Sequence, residues 1–272
     1  MASRCGGRVV YFARDPELPV IAAHRAAGGA ALIVRNRAVV RAEGDREFPL
    51  IPLDRVPLTH GGRIGFQVEN VLAAAAAAWH LGVPAESLRA GLESFDGALG
   101  RSPGRFNLVE VDGTVMVIDY GHNPSAVQAL LAPLAQLPHP RRRVLFTAAG
   151  DRRDVDIVRQ GELLGAAFDR AVLFEDHYIR GRRPGEIMYL LRRGLRTGGR
   201  VGDIREIRGW KAAVAEVLST MRPGELWLIQ ADQIDESADH FSSLLAEGRR
   251  PAREITWDEA MGRLAPAATA VR

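Results

Sequence analysis

The sequence predicts an α/β protein: a mostly parallel sheet covered by helices on both faces, preceded by a smaller β-rich region. Three observations predict it. After residue 103, short apolar runs alternate with stretches of helical periodicity, the rhythm of strands joined by crossover helices. That rhythm opens with "FNLVEVDGTVMVIDY", a hairpin with Asp112-Gly113 at its turn. The 28 glycines and the alanine-rich helical stretches suit a fold of tight turns and close packing.

Each element follows from its own residues. "VVYFA" (9–13) reads as a short strand and "RDPELP" as a turn. "PVIAAHRAAGG" reads as a short helix closed by Gly28 and Gly29, and "AALIV" with "AVVRAEG" as a hairpin about Asn36. From Gly65 the pattern turns helical. "GFQVENVLAAAAAAWHLGVP" is a helix ended by Gly82 and Pro84, and "PAESLRAGLESF" a second one with Leu88, Leu92 and Phe95 at i, i+4, i+7. "DGALGRSPGR" has linker composition and sets a domain boundary near Ser102, giving regions 1–102 and 103–272. Beyond the hairpin come a helix from Pro124 to about Leu137, the strand "RVLFTAAG" and the helix "DVDIVRQGELLGAAF". The strand "RAVLFE", the helices "PGEIMYLLRRGL" and "WKAAVAEVLSTM" and the strand "GELWLIQA" follow.

Composition narrows the function classes. With 272 residues and 47% hydrophobic content the chain can bury a sizeable core, which excludes a disordered polypeptide. Its 36 basic residues nearly balance 33 acidic ones, and all but Lys211 of the basic residues are arginine. Arginine-rich surfaces can hold nucleic acid, but no basic run with interleaved aromatics occurs, so no nucleic-acid partner is expected. Cys5 is the single cysteine, so no intrachain disulfide can form, and a reducing cytoplasm is expected. "MASRCGGRVVYFARDPELP" has no apolar signal core. The longest apolar run, "VLAAAAAAWHLGV", falls short of the roughly 20 residues a membrane span needs, so no membrane partner is expected.

In open α/β sheets, ligands bind beyond the carboxyl ends of the strands, so the polar turns after strands are where chemistry is sought. In "VIDYGHNPSAV" (117–127), Asn123 suits an N-cap and Pro124 the first helical position. Asp119 and His122 then lie beside the free amides of a helix start, where an Asp can take ribose hydroxyls and a His can reach a phosphate. Plain capping and ligand contact both remain open for these two. "AAGDRRD" (148–154) sets Gly150, for close backbone approach, beside Arg152 and Arg153, which can clamp a phosphate or carboxylate or form surface ion pairs. "FEDHYIRGRRPGE" (174–186) sets Asp176 and Arg180 past a strand, either as a pair for the ammonium and carboxylate of an amino acid or as a surface ion pair.

Taken in order, these turns resemble the Mur ligase family of ATP-dependent amide ligases, whose DYAHNP motif "DYGHNPSA" matches. More narrowly, "PGRFNLVEV…VIDYGHNPSA…AAGDRRDVDIVRQGELLGAAFD…EDHYIRGR…GEI…LLRRGL" is similar to the branch that attaches arginine to the side-chain carboxylates of an aspartyl polymer. "CGGRVVYFARDPELPVI…GGRIGFQVENVLAAAAAAWHLGVP" is similar to the stretch just upstream in that branch. The resemblance covers the chain to about Glu236 and is strongest over residues 100–190. It implies a Rossmann-like carboxyl-terminal domain (103–272) preceded by the remainder of a central ATP-binding α/β domain (1–102). It implies ATP as cofactor, arginine and an aspartyl polymer as substrates, and an acyl phosphate as the activated carboxylate. By motif position, Asn70 matches the asparagine near the adenine. Arg105 matches the arginine that links the two domains across the phosphates, Asp119 the aspartate on the ribose, and His122 and Asn123 the turn lining the cleft. Asp176 and Arg180 fall where the incoming amino acid is recognised, and Arg152 joins them as a substrate-binding candidate from its own turn. Arg105 and His122 are the catalytic candidates.

The sequence departs from the family in its phosphate- and metal-binding parts. Mur ligases hold ATP with a glycine-rich loop ending in Gly-Lys-Thr or Gly-Lys-Ser, whose amides cradle phosphate, whose Lys neutralises charge and whose hydroxyl binds Mg²⁺. Lys211 lies in "RGWKAAV", and no G-x-x-x-x-G-K-[ST] stretch is present. A carbamylated lysine and the family's upstream Mg²⁺-binding Glu and His have no counterpart either. The expectation is therefore a ligase portion that is inactive alone and needs a complementary synthetase subunit or self-association. A non-catalytic binding module for arginine or for the polymer, and a gene remnant, are the alternatives.

Overall fold

The computed structural model describes residues 2–138, 141–231, 236–237, 239–241, 243 and 251–265. The chain divides into two compact units, Met1–Asp96 and Gly97–Arg272, so the division falls inside the glycine-rich stretch read as a linker, six residues before Ser102.

The first unit holds a four-stranded sheet in the order β1 (Val10–Ala13), β2 (Ala30–Arg35), β3 (Ala38–Glu43), β4 (Arg46–Pro52). β1 runs parallel to β2 through the short helix α1 (Pro19–Ala26), and the rest is antiparallel. The β2–β3 turn places both Asn36 (φ 51°) and Arg37 (φ 59°) in the left-handed region, as a two-residue turn matching strand twist requires. α2 (Gly65–His80) and α3 (Ala85–Ser94) cover one face, where Val68, Val71, Leu72 and Ala75 bury against Leu32, Val39 and Ile51. Ile21 of α1 packs with Ala31, Ile33, Val40 and Ala42 on the other. The sequence reading missed β4. Its segment "REFPLIP" carries two prolines, which a strand tolerates at a sheet edge, where β4 lies.

The second unit is a seven-stranded sheet. In chain order its strands are β5 (Arg105–Val111), β6 (Thr114–Asp119), β7 (Arg142–Phe146), β8 (Arg170–Glu175), β9 (Asp203–Arg208), β10 (Leu226–Gln230) and β11 (Ala252–Glu254). In space the order is β11–β5–β6–β10–β7–β8–β9, with β6 to β9 and β10 mutually parallel and β5 pairing antiparallel with both β6 and the edge strand β11. Helices α4 (Pro124–Leu134), α5 (Asp154–Ala167), α6 (Glu186–Gly198) and α7 (Trp210–Thr220) make the crossovers. Alternate strand residues Met116, Ile118, Leu145, Val172, Phe174, Trp227 and Ile229 meet Trp210, Ala213, Val214 and Val217 of α7 in one core. Their equally buried neighbours Val115, Val117, Val144, Phe146, Leu173 and Leu228 point the opposite way, toward the layer of α4, α5 and α6.

Three further readings are corrected. α4 ends at Leu134, with Pro133 in its last turn and Ala135 as the C-cap. β9 separates α6 from α7, which the sequence reading joined without a strand. "DIREIR" is mostly charged because β9 is a sheet edge whose side chains are largely exposed. β11 and α8 (Trp257–Leu264) also went unread, although Thr256 and Glu259 form a full capping box.

Candidate functional site

All three polar turns singled out from sequence lie at the carboxyl edge of the second unit's parallel strands, after β6, β7 and β8. β10 lies between β6 and β7, which is the point where the connections change direction along the sheet.

Asp119 ends β6 and is buried. It faces Arg105 across the β5–β6 pair, where a bulge puts Phe106 at φ 60°. The bulge aims the Phe106 N–H at Asp119 Oδ2 (2.9 Å), and Gly121 N–H donates to Oδ1 (2.7 Å). Burial pushes the Asp119 carboxyl up to about 6, against these two hydrogen bonds and the positive charge of Arg105. A carboxylate has about four acceptor sites, so roughly two remain for further donors, a fit to the adjacent hydroxyls of a ribose. A Cβ at position 121 would come within 2.7 Å of Leu130 Cδ1 and 3.1 Å of Asp119 Oδ1, so a larger residue there would have to shift those side-chain tips.

Asn123 caps α4 by accepting the Ala126 N–H at 2.9 Å, and Pro124 starts the helix. His122, one residue earlier, reaches across to the next turn, its Nε2 lying 2.9 Å from Arg152 Nη2. A guanidinium only donates, so Nε2 accepts and the proton of the neutral ring sits on Nδ1. The Tyr120 ring lies 4.4 Å from the His122 ring, and the Arg105 guanidinium lies 5.5 Å from the Tyr120 centroid. Arg105, Tyr120, His122 and Arg152 thus form one continuous cationic and aromatic line along the strand ends.

The two arginines of "GDRRD" part company. Arg153 is exposed and makes a bidentate pair with Asp156 in the first turn of α5 (2.8 and 2.9 Å), while Arg152 turns to His122. Asp176 and Arg180 also find separate partners. Asp176 accepts both the main-chain N–H and the ring Nδ1 of His177 (2.8 Å each), and Arg180, at φ 51°, bonds Asp151 across to the preceding turn (3.0 Å). Burial raises the Asp176 carboxyl but is outweighed by the hydrogen bonds from His177 and Trp210, which leave it below the usual range.

The structure therefore gathers Arg105, Asp119, His122, Asn123 and Arg152 at one end of one sheet, with Arg180 joined to them through Asp151. Asn70 sits on α2 in the first unit, exposed, its Nδ2 donating to Gln67 Oε1 (3.0 Å). Sequence reasoning missed Tyr120, although it stands inside the motif. It also missed Gln230, which pairs in register with Asp119 at the end of β10, is 1% exposed, and finds no side-chain hydrogen-bond partner among the described residues. Among the described residues no group of three or more His, Cys, Asp or Glu is arranged to hold a metal ion. No helix of the described residues is long and apolar enough to cross a membrane.

A doubly wound sheet with an acidic, histidine-bearing turn at its switch point defines the class, and the comparisons agree. Residues 104–232 match the family described as Mur ligase, glutamate ligase domain. The particular proteins it is most informatively compared with are cyanophycin synthetases. The chain is 33% identical over 195 residues to that of Trichormus variabilis, covering 72% of this chain but 22% of the relative. It is 30% identical over 234 residues to that of Crocosphaera subtropica, covering 86% and 27%. Similarity extends at 28% identity to a UDP-N-acetylmuramoyl-L-alanyl-D-glutamate--2,6-diaminopimelate ligase of Mesorhizobium japonicum, over 87% of this chain and 50% of that one. Among solved structures, FolC of E. coli in complex with ADP superposes with TM-score 0.57 at 19% identity, over 86% of this chain and 53% of FolC. The murein peptide ligase mpl of Psychrobacter arcticus superposes with TM-score 0.56 at 15% identity, over 89% and 46%; both are likenesses of fold.

Proposed function

We propose that the second unit carries the nucleoside- and amino-acid-binding side of an ATP-dependent amide ligase that joins arginine to the side-chain carboxylates of an aspartyl polymer. The single observation that carries this reading is the line Arg105–Tyr120–His122–Arg152 laid beside Asp119 at the switch point. The identity to cyanophycin synthetases supports the choice of substrate. ATP, when bound, supplies the phosphoryl group that activates the carboxylate. The chain's own part is binding and charge placement. Asp119 takes ribose hydroxyls on its remaining acceptor sites, and Arg105 offers positive charge beside them. Arg152 and Arg180 present guanidinia for the carboxylate of the incoming amino acid. Neutral His122, with Nε2 turned to Arg152, holds that guanidinium in place.

These 272 residues alone are proposed not to turn over. The sole lysine, Lys211, is exposed on α7 and paired with Glu236 at 3.0 Å, and no metal-ligand group is formed among the described residues. Phosphoryl transfer depends chiefly on such charge neutralisation. The same observation favours a second reading, a non-catalytic module that binds arginine or the polymer. The test is an amide-forming assay with ATP, Mg²⁺, arginine and an aspartyl polymer, alongside calorimetry. No turnover is expected, with arginine binding retained. Turnover by the pure chain overturns the claim of inactivity. Equal nucleotide affinity in the wild type and Asp119→Ala overturns the ribose role.

A further inference from the structure

Arg182 has no place in the sites considered so far, yet its side chain bonds both the turn after β7 and the starts of α5 and α6. Its side chain is 13% exposed. Nε donates to the Gly150 carbonyl (2.8 Å) and Nη2 to the Arg152 carbonyl (2.6 Å), both in the turn after β7. Nη1 reaches Glu186 Oε1 (2.7 Å) at the start of α6 and Asp154 Oδ1 (2.8 Å) at the start of α5. Its own main-chain N–H donates to the Ile179 carbonyl, inside the turn after β8. That same Ile179 carbonyl lies where a Cβ of residue 150 would be, so the two turns meet backbone to backbone only because residue 150 is glycine.

We infer that Arg182 is a positioning residue: its guanidinium fastens the turn after β7 to the turn after β8, and so fixes where Arg152 and Arg180 present their charges. The geometry suits this task and little else. These four contacts take four of the guanidinium's five N–H donors, so the group is committed to the loops. A lysine cannot reproduce it, because one ammonium cannot serve two carbonyls and two carboxylates spread around a fork. The pull on the Arg152 carbonyl acts on the residue whose side chain bonds His122, so the fastening reaches the β6 turn as well.

The consequence for arginine binding rests on the proposed function; the consequence for the loops does not, and the two are measured separately. Hydrogen–deuterium exchange on Arg182→Lys in the full 272-residue chain should rise in both 147–153 and 176–185 while β6 and β10 keep wild-type protection. Gly150→Ala, which leaves every arginine in place, should loosen the same two segments. Exchange unchanged in 147–153 for Arg182→Lys, or raised uniformly across the sheet in both variants, overturns the inference. Calorimetry with L-arginine supplies the second arm. If the wild type binds, Arg182→Lys should bind at least tenfold more weakly at a melting temperature within a few degrees. Equal affinity there overturns the positioning role. A wild type that binds no arginine counts against the proposed function and leaves the exchange result to decide on Arg182.

Discussion

Asp119 is the residue on which local structure and candidate chemistry meet. Its two oxygens shape a bulge and a turn, yet burial lifts its carboxyl to about 6 from 3.8. A folded-state value above the unfolded one means that ionisation is easier in the unfolded chain. This group's contribution to stability should therefore be fully present below about pH 4, fall as pH rises toward 6 and level off above, by about 3 kcal/mol in all. Melting curves of wild type and Asp119→Asn between pH 4 and 8 check this: the difference between the two should shift against the wild type as pH rises. Parallel profiles would show an ordinary carboxyl. At this scale the sequence was partly legible. Asn123 and Pro124 announce a cap and a helix start by residue type alone. The Asp119 contacts do not, because one donor, Phe106, is supplied by a β-bulge that leaves no mark in "GRFN". The His122–Arg152 bond joins residues 30 apart and depends on strand order.

At the scale of elements, α5 and α6 approach closely because glycines face each other. A Cβ on Gly161 would overlap the Leu191 carbonyl oxygen, one on Gly165 the Leu195 carbonyl oxygen, and one on Gly194 the Val158 carbonyl oxygen. The helices thus meet at main-chain distance and hold the starts of both, with Asp154 and Glu186, beside the candidate loops. Gly161→Val should lower stability by at least about 2 kcal/mol in urea unfolding, since backbone cannot move aside as a side chain can. A loss below about 0.5 kcal/mol would mean that the helices slide apart freely. Both helices are legible from apolar periodicity, whereas the glycine contact needs knowledge of which helix is the neighbour. β4 and β9 escaped notice for a related reason. Edge strands need fewer apolar residues and tolerate proline and charge, so their composition imitates loops.

At the scale of the molecule, the chain is two units with separate cores, divided after Asp96, six residues before the boundary read near Ser102. The second unit closes a core on both faces of a seven-stranded sheet; the first has four strands, with β1 and β4 as its edges. Limited proteolysis should leave a resistant product beginning near residue 97, with the first unit degraded sooner. A first cut inside 103–200 would contradict that order of stability. The parallel sheet itself was readable from alternation. The position of β10 was not, because periodicity ranks strands along the chain and says nothing of their order in space.

That position bears on how the candidate site comes into being. β10 is the last of the parallel strands to be synthesised, yet it separates β6 from β7, two strand spacings or about 10 Å apart. Until residues 226–230 insert, the Asp119–His122 turn and the Arg152 turn sit on two unjoined half-sheets. Assembly of the ligand-facing edge therefore depends on a long-range strand pairing, the kind of contact that slows folding.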